Sequence, residues 1–278
     1  MINSSDVLFS NNVNERCGTK AQCLKILNDA DINIPIFYAI PSGILDNYCI
    51  NNGIPTIVQF YANSQYDEDV LTAFDIAPDP IIDESIFENG VYMVRSSSIP
   101  DNNVDKSEFP SIISGAFESY LATDVSEISI CIKKVWRSAY EKKAFLQCKS
   151  FSNKSAVTGL GVIIQKMIKP VFSGVAHILE KNVNINWTDG HLSKIVKGET
   201  IGNNISIYIS DTAQYILRGK EENILDIING NKKAVFCDLA DILFIIKDIL
   251  GSNQEIEWLY DGKEIWIVQA QELLPDLL

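Results

Sequence analysis

The sequence predicts an α+β fold, and three observations support this prediction. Strand-like and helix-like segments alternate irregularly, whereas a doubly wound parallel sheet requires a regular strand–helix order. The C-terminal part reads as a β-hairpin around Asp261-Gly262, which implies antiparallel pairing. The chain has 278 residues, of which 46% are apolar, and this suits one large domain with two lobes or two small domains.

The individual elements follow from hydrophobic periodicity and turn residues. A turn at Gly18 leads into a helix within residues 16–30, which carries Ala21, Leu24 and Leu27 along one face. Two further segments have apolar residues at helical spacing, namely residues 127–149 and 238–250. Strands are predicted at residues 34–41, 91–94, 161–168, 174–179 and 205–210, and the terminal hairpin at residues 255–271.

Composition and charge exclude several classes of function. The formal net charge is −13, which argues against nucleic acid or an anionic membrane as the main partner. No apolar run reaches the roughly 18 residues that a membrane-spanning helix needs. The six cysteines form no CxxC pair, and the first residues do not resemble a secretory leader. We therefore expect a cytoplasmic protein with reduced thiols.

Three segments in the first half of the chain could bind an anion. Gly18-Thr19-Lys20 opens a helix, where free N–H groups and the helix dipole favour negative charge. Arg95 ends a strand and precedes three serines, so its planar guanidinium could grip a phosphate. The small-residue segment from Ser114 to Ser119 could close over phosphates. Taken singly, each also fits a simpler reading: a solvated lysine, a surface salt bridge or an ordinary turn.

The terminal hairpin carries two carboxylates and two carboxamides at alternating positions. Strand alternation puts Glu255 and Glu257 on one face of the first strand, and Gln269 and Gln271 on one face of the second. If all four share a face, their oxygens form a site suited to Mg²⁺ that bridges phosphates. The alternative is an exposed polar face of an edge hairpin.

The turn of this hairpin decides between the two arrangements. A two-residue loop at Asp261-Gly262 would make the acidic residues face away from the glutamines. A three-residue loop, Tyr260-Asp261-Gly262, would place all four side chains on one face. The longer loop needs a left-handed residue at its last position, and Gly262 is there.

Taken in order, these segments resemble the nucleotide-binding domain of the pyruvate phosphate dikinase and phosphoenolpyruvate synthase family. The resemblance covers nearly the whole chain, and it ends where that domain should end. It is carried by CGTKAQCLKIL with IPIFYAIPSG, VRSSSIPDN, SGAFESYL, IKKVWRSAYEKKAFLQC, VIIQKMIKPVFSGVAHI and EIEWLYDGKEIWIVQAQEL. No single segment is decisive, but six in the correct order are specific.

The resemblance implies an ATP-grasp-like fold, with the nucleotide in a cleft between two lobes. It implies a single nucleotide-binding domain over residues 1–278. The expected lobes are residues 1–90 plus 170–278, and residues 91–169. No swivelling histidine domain and no pyruvate or other substrate domain is expected within these residues.

The resemblance also implies roles for individual residues. Lys20 and Arg95 would bind the phosphates of ATP, and the loop containing Ser114, Gly115 and Glu118 would cover them. The segment along the adenine would consist of Gln165, Lys166, Met167 and Ile168. Glu257 and Gln269 would hold Mg²⁺, with Glu255 nearby. Catalysis would depend on Lys20, Arg95 and Glu257.

The implied function is that of an ATP-binding, Mg²⁺-dependent phosphotransferase component. It would transfer phosphate from ATP to a carrier histidine on another domain or chain, and from there to a small acceptor. The alternatives are an ATP-grasp ligase that makes an acyl phosphate, and a degenerate, non-catalytic nucleotide-binding subunit. The last is motivated by Gln271, which stands where the family has an arginine.

Four further residues receive a structural interpretation from the sequence. His177 and His191 do not lie in the sequence context of the family's carrier histidine, so we expect structural or surface roles for both. We expect Trp258 and Trp266 to pack on the back face of the hairpin and not to stack on adenine. The cysteines read as small core residues, and among them only Cys17, beside the glycine turn, is a candidate for reactivity.

Overall fold

The computed structural model confirms the predicted α+β class. Residues 2–101, 115–149, 156–179, 182–191, 202–209, 215–219, 231–251 and 254–272 are described. They contain two antiparallel sheets and seven α-helices. Within these residues, none of the helices has the length and apolar character needed to cross a bilayer.

The chain divides into two compact units. Unit 1 comprises Met1–Lys25 and Ile36–Met167, and unit 2 comprises Ile26–Pro35 and Ile168–Leu278. Residues 36–90 thus belong with the segment that follows them, whereas the expected lobes grouped them with the end of the chain. The reason lies in strand pairing, because the strand at Phe37–Ile40 is hydrogen-bonded to the strand at Val157–Lys166.

Unit 1 is built on a five-stranded sheet with five helices on its apolar face, whereas helix α1 begins against the other face. The strands are β1 (Leu8–Phe9), β2 (Phe37–Ile40), β3 (Tyr92–Pro100), β4 (Ser119–Ala122) and β5 (Val157–Lys166), in the spatial order β1-β2-β5-β3-β4. The helices are α1 (Thr19–Asp29), α2 (Ser42–Asn51), α3 (Ile57–Ala62), α4 (Asp69–Ile76), α5 (Ile128–Ser138) and α6 (Lys142–Lys149). Helix α1 begins in unit 1 and ends in unit 2.

Alternation along β3 separates the two faces of this sheet. Tyr92 and Val94 point into a hydrophobic core that also includes Leu45 of α2, Phe60 of α3 and Trp136 of α5. The intervening residues lie on the opposite face, which is more polar. The strand prediction at 91–94 was too short, because β3 continues through the serine run to Pro100.

The start of α1 packs tightly against the polar face of β3. The hydroxyl of Ser97 accepts a hydrogen bond from the N–H of Ala21 at 3.1 Å, and the hydroxyl of Thr19 donates to the carbonyl of Ser98 at 3.4 Å. Gly18 has φ +87°, and a Cβ there would lie 2.1 Å from the carbonyl oxygen of Ser97. Only glycine therefore allows the helix to begin this close to the strand.

Unit 2 is built on a six-stranded antiparallel sheet and one long helix. The strands are β6 (Phe172–Leu179), β7 (Asn182–Asp189), β8 (Asn203–Ile209), β9 (Tyr215–Gly219), β10 (Gln254–Tyr260) and β11 (Ile265–Glu272). Their spatial order is β11-β10-β6-β7-β8-β9. The segment at residues 26–35 belongs to this unit, where the carbonyl of Asn33 accepts a hydrogen bond from the N–H of Ile267 at 2.9 Å.

The helix α7 (Asn231–Leu250) covers the apolar face of this sheet. Its buried residues recur every three or four positions, as expected for an amphipathic helix. The ring of Phe236 packs against Phe172, Trp187 and Trp258, with centroids 5.5–6.0 Å apart. The opposite face of the sheet carries polar side chains.

Most predicted elements are present, with two kinds of difference. The helical pattern at 127–149 is interrupted after Ser138, so that it forms α5 and α6 instead of one helix. The sequence analysis missed α2, α3, α4, β1, β4, β7 and β9. Several of these are shorter than nine residues, and short segments carry a weak periodic signal.

We expect Gly18→Ala to lower the free energy of unfolding by at least about 2 kcal/mol, because the new methyl group meets the backbone of β3 and φ is positive. The matched control is Gly43→Ala in α2, where an added Cβ has no heavy atom within 4 Å. That control should leave stability unchanged or raise it by up to about 1 kcal/mol. Urea denaturation measures both, and equal midpoints for the two variants would contradict the packing described here.

Candidate functional site

Unit 1 brings two of the predicted site residues to one face of its sheet. Register pairs Arg95 with Ile163, and Gln165 with Met93, so alternation places the side chains of Arg95 and Gln165 on the same face. This is also the face against which α1 begins, because Ser97 accepts the hydrogen bond from Ala21 there. Gln165 is buried with 1% exposure, and Arg95 is half-buried.

Lys20 lies in the first turn of α1, between the two residues that bond to β3. Its neighbours Thr19 and Ala21 fix the helix start on Ser98 and Ser97. Lys20 itself is half-buried. The structure thus anchors the Lys20 backbone beside the strand that carries the predicted arginine, and the positive end of the α1 dipole lies at the same place.

The predicted phosphate-covering loop is described in part. Ser114 lies outside the described residues. Gly115 is exposed and has φ +64°, a conformation that favours glycine. The Glu118 side chain is exposed, and the backbone N–H of Glu118 donates to the hydroxyl of Ser138 at 3.1 Å. The end of the loop is thereby attached to helix α5.

The segment predicted to lie along the adenine forms the end of β5 and the passage to unit 2. The N–H of Lys166 donates to the carbonyl of Ile36, and the N–H of Met167 donates to that of Val91, both at 2.8 Å. These two N–H groups are therefore committed within unit 1, so an adenine contact here needs other atoms. Ile168 is half-buried and is the first residue of this segment in unit 2.

Lys166 has an additional structural role that the sequence did not reveal. Its ammonium group forms an ion pair with Glu88, and this contact raises the pKa of Lys166 and lowers the pKa of Glu88. Glu88 is largely exposed and Lys166 is partly exposed, so the pair contributes little to stability.

The terminal hairpin places its two carboxylates and two carboxamides on one face. Glu255 lies directly opposite Gln271, and Glu257 lies directly opposite Gln269. Residues paired in this way point to the same side of a sheet. The arrangement that the sequence left open is therefore the shared face.

The predicted three-residue loop is wrong, although it gave the correct face. Tyr260 pairs with Ile265, so the loop has four residues, Asp261–Glu264. The carboxylate of Asp261 accepts hydrogen bonds from the N–H groups of Lys263 and Glu264, both at 2.8 Å. These bonds stabilise the longer loop and lower the pKa of Asp261.

A β-bulge restores the shared face. In the register nearest the loop, Trp258 pairs with Ile267, so Glu257 would be expected opposite Val268. The register shifts between Glu257 and Trp258, and Glu257 lies opposite Gln269 instead. One extra residue in β11 therefore determines which side chains meet.

The same register corrects the interpretation of the two tryptophans. Trp258 is fully buried in the apolar cluster beneath α7, as expected. Trp266 pairs with Leu259 and lies on the polar face, where its indole N–H donates to Asp261 at 3.0 Å. In β11 the bulge lies between Trp266 and the carboxamides of Gln269 and Gln271. Simple alternation along the strand therefore placed Trp266 on the wrong face.

A histidine belongs to this face, and the sequence analysis assigned it no functional role. His177 on β6 pairs with Glu255, and its Nε2 lies 3.0 Å from Glu255 Oε2. The other oxygen, Oε1, accepts a hydrogen bond from the Gln271 amide at 2.6 Å. Alternation in a strand at 174–179 was visible in the sequence, but its pairing with the terminal hairpin was not.

The donors on this face fit a magnesium ion that also binds phosphate oxygens. Glu257 and Gln269 offer one carboxylate and one carboxamide oxygen from directly opposite positions, whereas Glu255 is held by Gln271 and His177. In the described part of the chain, no three His, Cys, Asp or Glu side chains cluster as a metal site. Mg²⁺ is commonly held by one or two protein groups together with phosphates.

The cysteine beside the glycine turn does not have the properties of a nucleophile. Cys17 is fully buried, and burial raises the pKa of its thiol. Its carbonyl lies so close to β5 that a Cβ at Gly161 would be 2.4 Å away. The residue therefore packs the start of α1 against the sheet, and the thiol stays protonated at neutral pH.

Comparison with solved structures finds only loose similarity. D-alanine–D-alanine ligase from Bacillus anthracis is 10% identical, with a TM-score of 0.39, over 95% of this chain and 59% of the ligase. L-amino acid ligase from Bacillus licheniformis is 13% identical, with a TM-score of 0.36, over 92% of this chain and 43% of the ligase. C-terminally truncated Cdc123 from Schizosaccharomyces pombe is 12% identical, with a TM-score of 0.42, over 94% of this chain and 85% of the Cdc123 chain. TM-scores below 0.5 support no conclusion about this chain.

Comparison with protein families is more informative. No curated protein shows a significant sequence match. Residues 54–232 match the family described as pyruvate phosphate dikinase, AMP/ATP-binding domain. The match includes Arg95 and the segment from Gln165 to Ile168, but neither Lys20 nor the terminal hairpin. Because it extends over more than half of the sequence, this chain belongs to the family of the AMP/ATP-binding domain of pyruvate phosphate dikinase.

Proposed function

We propose that this chain binds ATP together with Mg²⁺ and acts as the nucleotide-binding component of a phosphotransferase. Lys20 and Arg95 bind the phosphates, and the loop from Ser114 to Glu118 covers them. Glu257 and Gln269 hold Mg²⁺, which neutralises charge on the phosphates. The physical task is to position the phosphoryl group and to offset the charge that develops during its transfer.

The register of β10 against β11 is the observation that carries this proposal. It lies outside the residues that match the family, so it is independent support. A carboxylate opposite a carboxamide on a polar sheet face is a donor set for a hard cation. The family match supports the nucleotide, and the grouping of Arg95 and Gln165 on one face of unit 1 supports a site for its phosphates.

The phosphoryl acceptor is a histidine on a separate domain or chain, which then passes phosphate to a small acceptor. Products distinguish the reaction types, because a dikinase leaves AMP and phosphate, whereas a simple kinase leaves ADP. We place the protein in the cytoplasm, in keeping with its six cysteines, all of which are described and none of which forms a disulfide.

Isothermal titration with ATP, ADP and AMP, with and without Mg²⁺, tests the proposed function directly. ATP should bind, and Mg²⁺ should increase its affinity. Failure of all three nucleotides to bind would overturn the proposal. A search for a co-purifying protein that takes acid-labile label from ATP would identify the carrier.

A second candidate is a nucleotide-binding subunit without catalytic activity. The observation that favours it is Gln271, which offers a neutral amide to Glu255 and so contributes no positive charge to this face. Such a subunit would bind ATP but would not turn it over with any partner.

Replacing either basic residue should weaken ATP binding. We expect Lys20→Ala and Arg95→Ala each to reduce affinity at least about 10-fold, because each removes a charge-assisted bond to phosphate. Titration calorimetry measures the change. The control is Arg16→Ala, an exposed cation just before α1. If all three variants bind ATP like the parent, the phosphate contacts are assigned incorrectly.

Glu257→Ala should remove the dependence of nucleotide affinity on Mg²⁺, because it removes the only carboxylate of the proposed metal pair. The matched control is Glu264→Ala, an exposed carboxylate in the loop of the same hairpin. Affinities for ATP are compared at several Mg²⁺ concentrations. An unchanged Mg²⁺ dependence in Glu257→Ala would place the metal elsewhere.

Gln271→Arg separates the two candidate functions. An arginine at this position can still contact Glu255, and it adds a cation with bidentate geometry beside the transferring phosphate. If charge at this position limits catalysis, ATP turnover should rise, and Gln271→Lys should give a smaller gain. A variant that binds ATP and remains inactive with every partner supports the non-catalytic subunit.

A further inference from the structure

His177 lies in the middle of the polar face of unit 2. Its strand, β6, has β10 on one side and β7 on the other, so the backbone on either side of the residue is held by ladder hydrogen bonds. Its side chain is about one-third exposed (34%). The residue is therefore fixed in position by the sheet, and part of its side chain is open to solvent.

The contact with Glu255 determines which ring nitrogen carries the proton. An ionised carboxylate only accepts hydrogen bonds, so in the neutral ring Nε2 is the donor at 3.0 Å. Nδ1 then carries the lone pair. Among the described residues, Nδ1 has no hydrogen-bond partner, so this lone pair is available to a substrate proton.

Glu255 is itself held in place from the other side. The Gln271 amide donates to Oε1 at 2.6 Å while Oε2 faces the histidine. The carboxylate is thus fixed between two partners. A carboxylate that orients an imidazole and faces the charge formed on it is the arrangement by which histidine acts as a base.

Among the described residues of the neighbouring strands, the other groups around the ring are neutral, apart from one more carboxylate. On β7 the cross-strand neighbour is Asn184, whose oxygen accepts a hydrogen bond from Ser206 of β8 at 2.7 Å. On β10 the charged residues of this face are Glu255 and Glu257. Within the described residues, no cation on these strands faces the ring, so a proton taken up by His177 meets only negative and neutral neighbours.

We propose that His177 is a catalytic general base, which removes a proton from the water that cleaves a phosphoanhydride bond, and that Glu255 is its positioning residue. The inference rests on the proposed function in its dikinase form. When one phosphoryl group goes to an acceptor and the products are AMP and phosphate, atom balance requires one water. The ring lies one cross-strand pair from Glu257, where the metal-bound phosphates would lie.

The chemical step balances without any further reactant. The water O–H bond breaks, and its proton moves to Nδ1 of His177. The oxygen electron pair forms the new bond to phosphorus, while the bond from that phosphorus to the bridging oxygen breaks and its electron pair leaves on the other phosphate. The Nε2 proton stays on the ring and remains hydrogen-bonded to Glu255. The negative charge of this carboxylate offsets the new positive charge of the imidazolium.

The test measures release of phosphate from Mg-ATP by the full chain in ¹⁸O-labelled water. We expect His177→Ala to lower the rate at saturating ATP by about 10²-fold or more, with nucleotide affinity unchanged by calorimetry. Added imidazole should restore part of that rate, and Glu255→Gln should lower the rate without changing KM. His191→Ala, which alters the other, exposed histidine, should leave the rate unchanged.

Each other outcome overturns the inference in a recognisable way. An unchanged rate in His177→Ala, or a loss that imidazole does not restore, excludes the base. An acid-labile phosphate on His177 makes the residue a nucleophile instead. ATP binding without any release of labelled phosphate removes the inference but leaves the proposed function, whereas absence of ATP binding by the parent protein removes the proposed function itself.

Discussion

The register of β6, β10 and β11 is the constraint on which the candidate site of unit 2 depends. Side chains alternate with a period of two, so a slip by one residue would send every polar group of a strand to the other face. The bulge between the loop and the carboxamides therefore determines which side chains of the hairpin share the polar face. It lets a four-residue loop coexist with Glu257 opposite Gln269, and both features appear in one hairpin.

Burial on the other face of the same sheet stabilises this register. Trp258 and Ile256 alternate with the two glutamates along β10, and both are fully buried. A slip would expose a tryptophan beneath α7 and bury a carboxylate, and each change is costly. The apolar face thus fixes the polar face, and the site obtains its geometry from packing on the opposite side of the strands.

In unit 1 the corresponding constraint is the close approach of α1 to its sheet. Gly18 and Gly161 remove the side chains that would separate helix and strands, and Ser97 receives a helix N–H that would otherwise be buried without a partner. The cost of this packing is that little variation is tolerated at these glycines. The consequence is that the first turn of α1 is held over the polar face of β3.

Local sequence patterns predicted many of the helices, strands and turns, whereas the pairing of strands that are distant in the sequence was not predictable. The glycine turn, the terminal hairpin and the amphipathic helix were visible because their patterns lie within short windows. The contact between His177 and Glu255 was not predictable, because the two residues are 78 positions apart along the chain and nothing in either segment reveals the pairing. The loop length was wrong because Gly262 suggested a turn type, but the side chain of Asp261 stabilises a longer one.

The charges on the polar face of unit 2 explain why a divalent cation is central to the proposed function. Glu255 and Glu257 are acidic, Gln269 and Gln271 are neutral, and the whole chain has a net charge of −13. A triphosphate approaching such a face is repelled, and at partly buried positions salt screens this repulsion only incompletely. A metal ion held by Glu257 would convert that repulsion into attraction. An arginine at position 271 would lessen the repulsion, but glutamine does not, so the proposed site depends more strongly on its metal.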